Sequence, residues 1–301
     1  MRNHCSFCSL CASALLGASA FIAFGQTAQT SSGIPFSHGF DVTINGNAPI
    51  HFGLDTGLAW DFILTSEQAK LFGLPVVDQH TMYTSDKQTA LGAKSDIVQA
   101  KTLTLAGYTF SDLKGLAVPN SHRGDVGITL FRNVLLTLDY PHDLLRVSDG
   151  QLPPANGHDI LAYTTDPAAN FKVLQVSPMV SIQLAGQPLQ ALIDTGAHEV
   201  FGEIIVPRDV AAKLPLGPQV GTMTLADALG RKFPSYVAPL KGDLQLGDVL
   251  VHNPMVTVSD WLGFVNVGPL TKRLVLTIDQ VNHRVRVVMP VPAPQTQATL
   301  N

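Results

Sequence analysis

Apolar and polar residues alternate along short stretches of this chain, and the stretches come in pairs. Phe40-Asp41-Val42-Thr43-Ile44 alternates with a period of two, turns at Asn45-Gly46-Asn47, and runs on through Ala48 to Leu54 into Asp55-Thr56-Gly57. Val180-Ser181-Ile182-Gln183-Leu184 alternates in the same way, turns at Ala185-Gly186, and runs through residues 187–193 into Asp194-Thr195-Gly196. Successive side chains of a strand point to opposite faces, so this period predicts half-buried strands joined by tight turns.

The pairing continues downstream. Leu103-Thr104-Leu105-Ala106-Gly107 is echoed by Leu244-Gln245-Leu246-Gly247-Asp248, and Val134–Asp139 by Leu274–Asp279. A turn follows each of the latter pair, and then a last strand, Leu144-Leu145-Arg146-Val147 or Arg284-Val285-Arg286-Val287. Helical patterns are few and fall at matching places, over 65–72 and 207–214. An internal repeat of this length predicts an all-β protein of two similar lobes. The expected division is a lobe over 34–150, a Pro- and Gly-rich linker over 151–172, a second lobe over 173–289 and a flexible tail over 290–301.

Composition fits a chain that buries a core. Of 301 residues, 46% are hydrophobic and 14% charged, with a mean hydropathy of +0.21, which argues against disorder. The net charge of −4 and scattered Lys and Arg give no sign of a nucleic-acid partner. Residues 1–25 read as a secretory leader: Arg2, an apolar run from Leu10, and small residues at Ala23-Phe24-Gly25. The run is short for a membrane span, so export to the periplasm or beyond is expected, with no membrane contact beyond a possible uncleaved leader. Cys5, Cys8 and Cys11 all lie in that leader, so no disulfide is expected in the mature chain.

Asp-Thr-Gly, approached by apolar residues and present twice at equivalent places, resembles the aspartic proteases, in the bilobal form in which two retropepsin-like lobes share one polypeptide. The resemblance runs from about residue 34 to about residue 288, and includes the stretches Asp125-Val126-Gly127-Ile128 and Asn266-Val267-Gly268-Pro269. It implies two barrel lobes with a cleft between them, and Asp55 and Asp194 as a catalytic pair facing each other across it. Thr56 and Thr195 would hold the two loops in register, and Gly57 and Gly196 would leave room for the sharp turns. Two carboxylates ~4 Å apart at an effective dielectric of about 20 repel by ~4 kcal/mol, which separates their titrations by roughly three units. That a pair of this kind shares one proton is established for the family.

The resemblance also implies an endopeptidase acting on an extended peptide or unfolded protein, without cofactor or metal, and complete as a monomer. The runner-up is a peptide-binding protein of the same fold with little or no turnover. It is motivated by Leu58-Ala59 and Ala197-His198 after the triplets, where the family more often has small polar residues. Substrate-covering flaps are expected between Met82 and Ala93 and between Met223 and Arg231. Asp139 and Asp279 read as turn-capping residues, and Trp60 and Trp261 as packing residues. No G-x-S-x-G, H-E-x-x-H or phosphate-loop motif is present.

Overall fold

The computed structural model describes residues 32–83, 90–119, 124–165, 176–197, 200–226 and 231–290. The expected leader, most of the tail, His198, the two flap tips and part of the linker lie outside the described residues.

The first copy supplies β1 (Phe40–Ile44), β2 (Ile50–Asp55), β3 (Phe62–Thr65), β4 (Val76–Tyr83), β5 (Ala90–Leu105), β6 (Tyr108–Val118) and β7 (Gly124–Gly127). It continues with β8 (Leu135–Asp139) and β9 (Leu144–Ser148), and β10 (Ile160–Ala162) follows between the copies. The second copy supplies β11 (Met179–Leu184), β12 (Gln187–Leu192), β13 (Ile204–Val206), β14 (Gly221–Ala226), β15 (Lys232–Pro239), β16 (Asp243–Leu246) and β17 (Val249–His252). It then continues with β18 (Met255–Val258), β19 (Val265–Asn266), β20 (Val275–Asp279) and β21 (Arg284–Val288).

The alternation is realised as read. Phe40, Val42 and Ile44 of β1 are buried while Asp41 is exposed, and β8 and β20 bury Leu136, Leu138, Leu276 and Ile278. The hairpin turns put two successive residues at positive φ, Asn45-Gly46 (52° and 72°) and Ala185-Gly186 (49° and 77°). That geometry matches the right-handed twist of the flanking strands and favours Asn-Gly. Helix α1 (Ser66–Leu71) starts on a capping box: Thr65 accepts from the Gln68 N–H, and the Gln68 side chain accepts from the Thr65 N–H. The second expected helix is shorter, α2 (Arg208–Ala211).

The two lobes share a plan but not its completion. In the first, β1-β2-β7-β3-β6-β5 are neighbours in that order and β5 pairs back to β1, which closes a six-stranded barrel; β4 extends it as a hairpin with β5. In the second, nine strands run β14-β15-β18-β13-β19-β12-β11-β16-β17 and curl without closing. The cause lies in the long β5–β6 hairpin, whose counterpart is cut into two hairpins, β15–β18 and β16–β17. The cut falls where Pro239 and Pro254 cannot donate a ladder bond and Gly242 (φ 137°) and Asn253 (φ 46°) turn the chain.

A third sheet, β10-β21-β20-β8-β9, joins the lobes. Strands β8 and β20, repeats of one another, pair antiparallel about Thr137 and Thr277, whose hydroxyls lie 3.1 Å apart. The expected linker thus contributes an element: β10 adds to the edge of this sheet, and Leu152 is buried. The apolar side chains of both lobes and of the joining sheet form one continuous core.

Candidate active site

Each triplet is delivered by the end of a buried strand and wedged by a glycine from a neighbouring one. Strand β2 pairs in parallel with β7, which places Gly127 opposite Asp55; β12 pairs in parallel with β19, which leads to Gly268. Only hydrogen fits at either glycine. A Cβ on Gly127 would lie 2.1 Å from the Trp60 carbonyl oxygen, and one on Gly268 1.8 Å from that of Asp194. The side chain of Leu58 packs on Gly127, and its carbonyl accepts from the Ile128 N–H, so this residue wedges the loop rather than supporting a carboxylate.

The loops clamp each other. The Thr56 N–H donates to Thr195 Oγ1 and the Thr195 N–H to Thr56 Oγ1, both at 3.0 Å. Thr56 Oγ1 donates across to the Ile193 carbonyl at 2.9 Å, and Thr195 Oγ1 to the Leu54 carbonyl at a longer 3.5 Å. Both threonines are fully buried. Behind the first loop, buried Ser177 donates to the Thr56 carbonyl at 2.7 Å.

This clamp brings the two carboxyl groups together. The Asp55 carboxyl lies against Gly196 and the Asp194 carboxyl against Gly57, so each acid faces the opposite triplet. Asp55 Oδ1 accepts from the Gly57 N–H at 2.7 Å and Asp194 Oδ1 from the Gly196 N–H at 3.0 Å. A Cβ on Gly57 would touch the Asp194 carboxyl at 2.6 Å, and one on Gly196 the Asp55 carboxyl at 2.7 Å, so both glycines make room for the opposing acid. Asp194 is buried and Asp55 half-buried. Burial, and then the charge and hydrogen bond of Asp55, push the Asp194 carboxyl well above the usual carboxylate range, against the opposing pull of bonds from Asn266 and Gly196.

Asn266 is the member of the site that sequence reading passed over. Fully buried, it donates from Nδ2 to Asp194 Oδ2 at 2.9 Å, the outer oxygen. Its own Oδ1 accepts from the Gly268 N–H at 2.7 Å, which fixes the orientation of the amide. The support that the family pattern would seek after the second triplet therefore comes from another strand. The signal was a polar residue two places before Gly268 in an otherwise apolar flank, aligned with Asp125 two places before Gly127.

The residues set aside as structural behave so. Asp279 is buried and accepts from the Leu152 and Asn282 N–H groups at 2.9 and 3.1 Å, and Asp139 from His142. Trp60 meets His80 of β4 edge-on with centroids 5.4 Å apart, and Trp261 packs on a small cluster of Ala197, Val200, Ile205 and Leu225. Among the described residues, no three His, Cys, Asp or Glu side chains converge on a possible metal position, and no helix is long and apolar enough to cross a membrane.

Barrel-type β lobes joined by a common sheet, with paired acids from two identical triplets, are the arrangement that the resemblance to aspartic proteases implies. Residues 40–139, within the first lobe, match the family described as aspartyl protease. Among solved structures, a retropepsin-like aspartic protease from Rickettsia conorii aligns at 19% identity and a TM-score of 0.32, over 41% of this chain and 94% of that one. No curated protein matches the chain.

Proposed function

We propose that this protein is an exported aspartic endopeptidase that hydrolyses peptide bonds in extended or unfolded polypeptides through Asp55 and Asp194. The observation that carries the reading is that the two carboxyls meet at the centre of the clamp, each lying against the glycine of the opposite triplet. The match of residues 40–139 to the aspartyl protease family supports peptidase chemistry.

The environments of the two acids assign their roles. Asp194, buried and proton-retaining, is the acid; Asp55, half-buried and held by the Gly57 N–H, is the base. Asp55 takes a proton from water as its oxygen attacks the scissile carbonyl carbon, while Asp194 gives its proton to the carbonyl oxygen. Collapse of the tetrahedral diol breaks the C–N bond, and the amine leaves with the proton taken up by Asp55. The diol's other proton returns to Asp194. One proton is held by the pair before and after turnover, so neither metal nor cofactor is required. Activity should fall on the alkaline side as the pair loses that proton and on the acid side as Asp55 gains one, a bell-shaped profile belonging to the pair.

The test is digestion of a mixed peptide library between pH 3 and 7. Wild-type protein should cleave, and folded Asp55→Asn protein should be reduced by roughly 10³-fold or more. Unreduced cleavage by that variant removes the mechanism; peptide binding without cleavage by the wild type would leave a binding protein of this fold. Export is tested by the N-terminus of the protein recovered from the producing cell, expected near residue 25.

A further inference from the structure

Both copies tie down the chain beyond the triplet in the same way. Asp61 stands just ahead of β3, and Glu203 just ahead of β13. The Asp61 N–H donates to the Lys114 carbonyl at 3.2 Å, and the Lys114 N–H donates back to Asp61 Oδ2 at 2.8 Å. In the second copy the Glu203 N–H donates to the Met255 carbonyl at 2.9 Å, and the Met255 N–H to Glu203 Oε2 at 2.8 Å. An arginine beyond the wedging glycine completes each set: Arg132 pairs with Asp61, and Arg273 with Glu203. The two backbone frames correspond, and Lys114 is the counterpart of Met255.

The side chains on the two frames differ. In the first lobe a pocket of about 300 Å³ opens beside Asp61, walled by Trp60, Asp112, Lys114 and Arg132. In the second, Met255 replaces the lysine and Gly202 stands where Trp60 does, with the largely exposed Phe201 before it. Asp61 is spent on the frame: it is buried, with Oδ1 on Arg132 and Oδ2 on the Lys114 N–H. The cations keep donors open. Among the described residues the Lys114 ammonium makes no hydrogen bond or ion pair, and Arg132 uses only Nη1, on Asp61 and on the Thr129 carbonyl. These open donors outnumber the acceptor that faces them, the exposed carboxylate of Asp112.

Strand register sets how far this pocket lies from the acids. Asp55 pairs with Gly127, the Gly127 N–H donates to the Asp61 carbonyl, and Asp61 bonds Lys114. Three strand spacings of ~4.8 Å make about 14 Å, which an extended peptide covers in about four residues at ~3.4 Å each. We propose that Lys114 and the open edge of Arg132 form a subsite for an acidic side chain of the substrate, about three or four residues from the scissile bond and on one side of it only. The inference rests on the peptidase reading given above. At the corresponding place the second lobe offers Phe201 and Met255, so the charge gives two otherwise matching halves a direction in which the peptide lies.

The test uses matched peptides with one cleavable bond, carrying Glu or Gln about three or four residues before it in one series and after it in the other. At about pH 6, where a Glu side chain is ionised, wild-type kcat/KM should favour Glu roughly fivefold in one series and show no preference in the other. Lys114→Met, which copies the second lobe, should bring the favoured ratio close to one, and Lys114→Arg should keep it. Asp112→Asn, which removes a like charge from the pocket, should widen it. Cleavage without a Glu preference in either series, an equal preference in both, or a preference that survives in Lys114→Met overturns the subsite and leaves the peptidase reading standing. Fluorescence titration with the same peptides needs no turnover. A protein that cleaves neither peptide but binds the Glu form more tightly, and loses that preference in Lys114→Met, supports the subsite and overturns the peptidase reading; one that neither cleaves nor binds overturns both.

Discussion

A buried acid that keeps its proton makes a distinct contribution to stability. The folded-state pKa of Asp194 is raised, with burial as the first cause and Asp55 as the second. The folded chain therefore binds this proton more tightly than the unfolded one. That contribution is fully present below the ordinary carboxylate range and is lost as pH rises through the folded value. Asp194→Asn keeps the shape of the side chain and cannot ionise, so it should raise Tm at neutral pH and change it little near pH 3. Calorimetry at the two pH values checks this, and an equal effect at both would contradict a retained proton. Asn266 pulls the other way, because its Nδ2–H favours the ionised acid. The pair is thus held between a neutral donor on one oxygen and a second carboxyl on the other.

At the scale of an element, the two hairpins that open the copies differ in how well their residues suit the backbone. Asn45 tolerates its positive φ, and its side-chain oxygen accepts from the Lys101 and Thr102 N–H groups at 2.8 and 3.0 Å. Ala185 occupies the same place at φ 49° with nothing to offer beyond its backbone, which bonds Asp243. Ala185→Asn should stabilise the protein by about 1 kcal/mol, read as a higher denaturant midpoint at unchanged slope. No gain, or a loss, would mean that Gly242, where an added Cβ would lie 3.1 Å from that of Ala185, stands too close to leave room for the amide. The sequence showed both turns, since Asn-Gly and Ala-Gly punctuate an alternating run. It did not show that the second long hairpin would be cut in two. Pro239 and Pro254 are plain in the sequence, but their effect depends on β15 and β18 ending together, where Pro239 pairs with Met255 and the Pro254 carbonyl accepts from the Leu240 N–H.

At the scale of the molecule, the lobes are joined rather than merely tethered. Strands β8 and β20 pair along their whole length, and their inward side chains belong to the same core as both lobes. The chain should therefore unfold in one cooperative transition, with calorimetric and van't Hoff enthalpies agreeing. Leu276→Ala, at a site with no exposure, should cost about 2–5 kcal/mol and lower that single transition without splitting it. Two resolved transitions in the wild type would show that the lobes fold independently. Cooperativity of this kind has a functional consequence. The carboxyls come from different copies, so any loosening of the joining sheet separates them.

The sequence by itself determined the duplication, the strand-rich character of each copy and the identity of the paired acids. All three depend on local pattern: a period of two, turn residues at fixed offsets and a triplet written twice. Only the tertiary structure decided which lobe closes, because closure depends on β5 meeting β1 through Thr43 with Thr104 and Ile44 with Leu103, a long-range pairing that no short window records. It also decided which acid keeps the proton. Two identical triplets carry no difference between Asp55 and Asp194; that difference arises from the deeper burial of Asp194, which outweighs the opposing pull of Asn266 from a remote strand.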